Sequence, residues 1–161
     1  YGPGYLLFED GPFMLATNTA LTQPFTVFLV ADAVNYGKRI LVGYEYNSVI
    51  SLNRTDGYCI YMRGKVYSPP LVGPISTSHI VCLQAGSSAA SVFFDGETKA
   101  ENVSNANDFG RLVIGKGGWS STESTFAKVR EIISFSKVLS DLERKRIESY
   151  LGTKWSIAIT Q

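Results

Sequence analysis

Val129-Arg130-Glu131-Ile132-Ile133-Ser134-Phe135, followed by Leu139-Ser140-Asp141-Leu142-Glu143-Arg144, decides how this chain is read. The first run is rich in β-branched and aromatic residues, as strands are. The second is a helix start. Ser140 can accept a hydrogen bond from the Glu143 backbone N–H, while the Glu143 carboxylate reaches back to that of Ser140, a capping box. Asp141 and Glu143 also face the positive end of the helix dipole. Beyond them Leu142, Ile147, Tyr150, Leu151 and Trp155 recur at roughly helical spacing, with Arg144, Lys145 and Glu148 read as the opposite, solvated face. Gly152 reads either as a weak internal position or as the helix end. One strand closed by one amphipathic helix, over about residues 140–154, is therefore expected at this end.

Upstream, the chain reads as short strands broken by turns. Phe25–Val30, Arg39–Tyr44, Asn47–Leu52, Tyr58–Met62, His79–Gln84, Ala90–Phe94 and Arg111–Gly115 are the strand runs, with Lys128–Phe135 the last. Pro24 sits where a proline can precede a strand. Ala85-Gly86-Ser87-Ser88 reads as a hairpin loop and Asp95-Gly96 as a tight turn, because glycine supplies positive φ. Three prolines in Ser68–Pro74 exclude a central strand there. Strands at this spacing without alternating helices predict an all-β antiparallel sandwich with one C-terminal α-helix. Residues 23–157 form that domain, and residues 1–22 read as an N-terminal linker or first edge strand.

Composition narrows the function classes. The 161 residues suit one domain, and 45% apolar content suits a packed core. Fifteen basic against fourteen acidic residues give a net charge of +1, with no basic stripe for nucleic acid. No run approaches the ~20 apolar residues of a membrane span, so no membrane insertion is expected. The chain opens on Tyr1-Gly2-Pro3-Gly4, without Met or a signal peptide, and reads as a piece of a longer protein, with a processed product the alternative. Cys59 and Cys82 fall inside apolar runs and read as buried thiols, with a cross-strand disulfide the alternative.

The C-terminal stretch, continued by Ile147-Glu148-Ser149-Tyr150-Leu151 and Lys154-Trp155, resembles the signature of laminin-G-like domains of the concanavalin A-like lectin/glucanase superfamily. Gln23–Val30 is similar to that family's opening strand, and His79 to Gly96 to its central hairpin. Leu112–Gly115 is similar to the strand before its last loop. The resemblance implies a jelly-roll sandwich of two curved antiparallel sheets. It further implies a secreted, surface or virion setting and a carbohydrate or surface-protein partner.

Catalysis finds little footing. Glycoside hydrolysis needs two carboxylates flanking the bond, and the Glu-x-Asp-x-Glu strand of the glucanase relatives is missing. Asp95 and Glu97 straddle a turn glycine and are expected to face solvent, and Glu131 stands alone in its strand. His79, the only histidine, reads as structural. One histidine with two strand cysteines cannot supply a standard zinc site, and no phosphate-binding loop exists. Asn53-Arg54-Thr55 and Asn102-Val103-Ser104 match glycosylation acceptors by pattern alone.

What remains is binding. Tyr36, Tyr44, Tyr46 and Trp119 fall in or beside expected turns, with Asn105 and Asn107 in the long Ala100–Arg111 connection. Rings that stack on a sugar face, beside amides that bond its hydroxyls, make a small polar-ligand site. No cofactor is expected except a candidate Ca2+, drawn from Asp32, Asn35 and Asp108 at the sandwich rim, as some laminin-G-like domains hold. The expected function is a non-catalytic recognition module of a larger extracellular or virion protein, binding cell-surface carbohydrate. The alternative is a structural, decoration or assembly domain of a phage or viral particle, with a homo-oligomer in a fibre or capsid; a glycoside hydrolase ranks third.

Overall fold

The computed structural model describes residues 4–8, 14–33, 38–43, 49–54, 57–62, 65–67, 77–104, 108–115 and 127–160. Twelve strands and one helix follow in order: β1 (Leu6–Phe8), β2 (Met14–Leu21), β3 (Phe25–Ala33), β4 (Lys38–Gly43), β5 (Val49–Arg54), β6 (Gly57–Met62), β7 (Lys65–Tyr67), β8 (His79–Ala85), β9 (Ala89–Phe94), β10 (Glu97–Ser104), β11 (Gly110–Ile114), β12 (Ala127–Phe135) and α1 (Asp141–Trp155). They build two six-stranded sheets, ordered β1-β12-β3-β8-β9-β10 and β2-β11-β4-β5-β6-β7. Every described pairing is antiparallel. The all-β sandwich with a C-terminal helix is the observed architecture.

Two hydrophobic clusters explain why β3 is apolar at nearly every position. Phe25, Val27, Leu29 and Ala31 join Val81, Leu83, Leu41, Ile50, Phe109 and Leu112 in the cluster between the sheets. Phe28 and Val30 face the other way, packing with Ile80, Cys82, Phe93, Leu139 and Leu151 beneath α1. A strand buried on both faces loses its polar alternation. The polar residues left on this covered face tie down the chain that leads into the helix. Thr26 Oγ1 donates to Lys137 O at 2.9 Å and accepts from Leu139 N at 3.2 Å, while Gln84 Nε2 donates to Leu139 O at 2.9 Å.

Both expected turns are present. Gly86 N donates to Ala89 O at 2.8 Å across the β8–β9 loop. Asp95 and Gly96 both take positive φ, 47° and 83°, as a two-residue hairpin turn with matching twist requires. One strand besides the short β7 was not expected, β10, while β1 and β2 fall in residues 1–22, where a linker or a first edge strand is expected. The polar run of β10 looks like a connection, yet Glu97–Ser104 pairs with β9 at the sheet edge, so Ala100–Arg111 is strand through Ser104. Met14–Leu21, with its Thr-Asn-Thr centre, is likewise an edge strand, paired with β11. Edge strands need only one bonded neighbour, so polar residues do not disqualify them. The Ser68–Pro74 segment lies outside the described residues.

The helix boundaries and cap agree with expectation, as does the packing of Ile147, Leu151 and Trp155 on the sheet, but the buried face is turned so that Leu142 and Tyr150 fall outside it. Glu143 N donates to Ser140 Oγ at 3.3 Å, and Ser140 N donates to Glu143 Oε2 at 2.8 Å. The face turned to the sheet carries Arg144, Glu148, Leu151 and Gly152, all buried, while Leu142 is 61% and Tyr150 51% exposed. Of the charges expected on the solvated face Lys145 stays 39% exposed, whereas Arg144 and Glu148 are inside because they neutralise one another: Arg144 Nη1 donates to Glu148 Oε2 at 2.5 Å and Nη2 donates to Asp141 Oδ1. The guanidinium also lies 3.8 Å from the Phe93 ring centroid. Gly152 proves internal. A Cβ there would come within 2.5 Å of Ile159 Cγ1 and 2.9 Å of Ile157 O, where the C-terminal tail folds back. Cys82 is free and buried under α1, in the sheet opposite that of Cys59; burial, followed by the neighbouring Glu148, raises its thiol well above the ordinary value.

Candidate functional site

The end of β3 and the start of β12 gather a connected set of polar side chains. Asp32, last but one in β3, pairs with Lys128 in the β12 register, which puts Arg130 within reach. Arg130 Nη2 donates to Asp32 Oδ2 at 3.2 Å and Nε to Asp32 Oδ1 at 3.3 Å. Ser78, just ahead of β8, accepts from Arg130 Nε and donates to Asp32 Oδ1. A register shift between Val129 and Glu131 marks a bulge, a device that re-aims side chains.

Beside that bulge cations and rings alternate across three elements. Lys128 Nζ lies 5.1 Å and Arg130 Cζ 5.6 Å from the Tyr5 ring centroid. Arg130 Cζ is also 5.4 Å from the Trp155 ring, and Lys154 Nζ lies 5.3 Å from Trp155 and 5.4 Å from Tyr150. These distances fall within cation–π range. Glu131 closes the ladder, its Oε2 accepting from Trp155 Nε1 at 2.8 Å and pairing with Lys154 Nζ at 2.9 Å. That carboxylate, together with the Tyr150 hydroxyl, raises the Lys154 pKa. An open cleft of about 430 Å3 cuts in along the β1 edge, lined by Gly4, Tyr5, Leu6, Ile114 and the run Val129–Ile132.

A second polar row sits at the β9–β10 turn. His79 Nδ1 lies 2.7 Å from Asp95 Oδ2, and Asp95 Oδ1 accepts from Ile80 N at 2.8 Å. His79 Nε2 is 3.3 Å from Thr77 Oγ1, and its ring centroid is 4.8 Å from that of Phe94. Asp95 therefore does not face solvent as its place in a turn suggests: a positive-φ turn residue beside β8 finds an N–H and an imidazole. Glu97 is exposed and pairs with Lys99 at 2.7 Å.

Of the residues expected to form a site, only Asp32 and Asp108 are among the described ones. Tyr36, Tyr44, Tyr46, Trp119, Asn105, Asn107 and Asn35 lie outside the described residues. Asp32 and Asp108 are not brought together. Asp108 Oδ1 accepts from Gln23 N at 2.7 Å, just ahead of β3, whereas Asp32 stands near its far end. Seven residue-to-residue steps of strand separate Phe25 from Asp32, on the order of 20 Å. One calcium ion, with ligands at about 2.3–2.6 Å, cannot draw on both, and this corrects the calcium set. Among the described residues no group of three or more His, Cys, Asp and Glu could hold a metal. The Tyr5–Arg130–Trp155 ladder was missed because its members come from three segments. Only the Trp155–Glu131 proximity had a hint, in the strand-then-helix stretch that carries the family resemblance.

No family model matches the chain, and no curated protein matches it either. Solved structures share its shape. A heptameric SAP-like pentraxin from Limulus polyphemus is 14% identical with a TM-score of 0.63, over 92% of this chain and 77% of that one. The CBM40 of a Ruminococcus gnavus IT-sialidase, solved with α2,3-sialyllactose, is 16% identical with a TM-score of 0.70, over 89% and 96%. What the chain shares with them is the fold, a jelly-roll sandwich of antiparallel sheets. A Trypanosoma rangeli sialidase in complex with sialic acid also matches, 14% identical with a TM-score of 0.70, over 98% of this chain but 29% of that one. Jelly rolls serve many ends, so the likeness establishes architecture. Among the described residues no helix is long and apolar enough to cross a membrane.

Proposed function

We propose that the chain is a laminin-G-like, non-catalytic recognition module that binds carbohydrate on the outside of a cell or particle, as part of a larger protein. The observation that carries this reading is one of extent. The chain superposes on 96% of a module solved with sialyllactose, and on 29% of a sialidase. The carboxylates point the same way. Asp95 is engaged by His79 and Ile80 N, Glu131 by Trp155 and Lys154, and Glu97 by Lys99. None of the three is one of a facing, unengaged pair such as glycoside hydrolysis employs. The ligand contacts are assigned to Tyr36, Tyr44, Tyr46 and Trp119, with Asn105 and Asn107 bonding hydroxyls, since recognition concentrates on loops over a rigid scaffold.

A glycan array probed with the wild-type chain and with Trp119→Ala tests this. Binding to a defined set of glycans, weakened about tenfold or more in the variant, is expected. An empty array, or hits that Trp119→Ala leaves unchanged, removes the assignment.

A further inference from the structure

We infer that the face formed by Tyr5, Lys128 and Arg130 is an anion subsite that takes the carboxylate of an acidic sugar. The inference rests on the carbohydrate reading but not on the loop residues. Its basis is a set of donors that meet no acceptor. Lys128 Nζ and the Arg130 guanidinium both contact the Tyr5 ring, at 5.1 Å and 5.6 Å, which places them no more than about 11 Å apart. Among the described residues Lys128 has no acceptor for its ammonium, and the Tyr5 hydroxyl has no hydrogen-bond partner. Arg130 spends Nε and Nη2 on Asp32 and Ser78, leaving Nη1 unused and outside the set of buried, unsatisfied atoms.

Charge runs the same way. Three cations line this ladder against two carboxylates. Asp32 is committed to Arg130 and Glu131 to Lys154, so the surplus positive charge resides on Lys128 beside the free edge of Arg130. The guanidinium is held in place by its Asp32 and Ser78 bonds and stands between the Tyr5 and Trp155 rings, so its fork is oriented before any ligand arrives. The Nη1 edge of a fixed guanidinium and the ammonium beside it can each donate to one oxygen of a carboxylate. The cleft reaches from Tyr5 to Arg130 along the β1 edge, and Leu6, Ile114, Val129 and Ile132, from the layer between the sheets, give it an apolar lining for the body of a sugar.

Titration calorimetry with trigalacturonate and its neutral counterpart, galactotriose, tests the subsite in the wild type and in Lys128→Gln. Trigalacturonate is expected to bind more tightly than galactotriose and to weaken as salt is raised. Lys128→Gln should cost the acidic sugar about tenfold or more, with galactotriose binding and the thermal midpoint unchanged. Equal binding of the two sugars, or a silent Lys128→Gln, overturns the subsite while leaving the recognition module standing. Failure of trigalacturonate to bind overturns it as well, whatever the glycan array shows. Competition by inorganic sulfate as effective as that by galacturonate would reassign the face to anions without a sugar.

Discussion

Arg144 and Glu148 occupy helix positions where a packed interface would ordinarily place leucine, at 3% and 0% exposure. Removing one partner of such a pair strands the other charge in low dielectric, whereas replacing both with apolar groups of similar size removes the desolvation cost with the attraction. Glu148→Ala is therefore expected to lower the unfolding free energy by about 3–5 kcal/mol. The double substitution Arg144→Met, Glu148→Leu should recover most of that loss in the same denaturant titration. Burial raises the Glu148 carboxyl, against the opposing pull of Arg144, and one oxygen of that carboxylate meets no donor. Sequence alone could not reveal this pair. The burial of a charge depends on what covers it, and Phe93, the ring under Arg144, belongs to another strand. Leu142 and Tyr150 were misplaced for the same reason: the apolar residues defined a stripe, but a shift of the face by one position exchanged ends of it for the charged pair.

α1 shows what local chemistry can specify at the scale of an element. The capping box needs only residues three apart, and Ser140 and Glu143 form it. Ser140→Ala should cost about 1 kcal/mol, read from the shift in denaturation midpoint. Lys137, then the Ser140 N–H and hydroxyl, hold the Glu143 carboxyl down to about 2 from an ordinary 4.5. A depressed carboxylate contributes stability above its unfolded value and loses it as pH falls through the folded one. The contribution of Glu143 is thus expected to be constant from neutral pH to about 5 and to fade between about pH 4.5 and 2. A Glu143→Gln variant should show a flatter acid limb in thermal midpoint against pH. Strands were legible in proportion to burial. β3 and β8, packed from both sides, announce themselves as apolar runs, while the polar β10 reads as a connection because an edge position asks little of its side chains.

For the whole molecule, the architecture was legible and the surface was not. Strand spacing and the closing helix suffice for a sandwich, because covering two sheet faces and a helix stripe leaves few solutions. The candidate anion subsite joins Tyr5 to residues more than a hundred positions away, and no local pattern encodes that meeting. The double burial of β3 carries one more consequence, in how the molecule breathes. Phe25, Val27 and Leu29 anchor the layer between the sheets, and Phe28 and Val30 anchor the layer under α1. Neither layer can open by itself without disturbing the strand common to both. The amides of Val27, Phe28 and Leu29 should therefore exchange with deuterium only through global unfolding, with protection equal to the full unfolding free energy. Amides along the edge strand β10 should exchange orders of magnitude sooner through local opening. Equal protection at the two places would show that the layers separate independently.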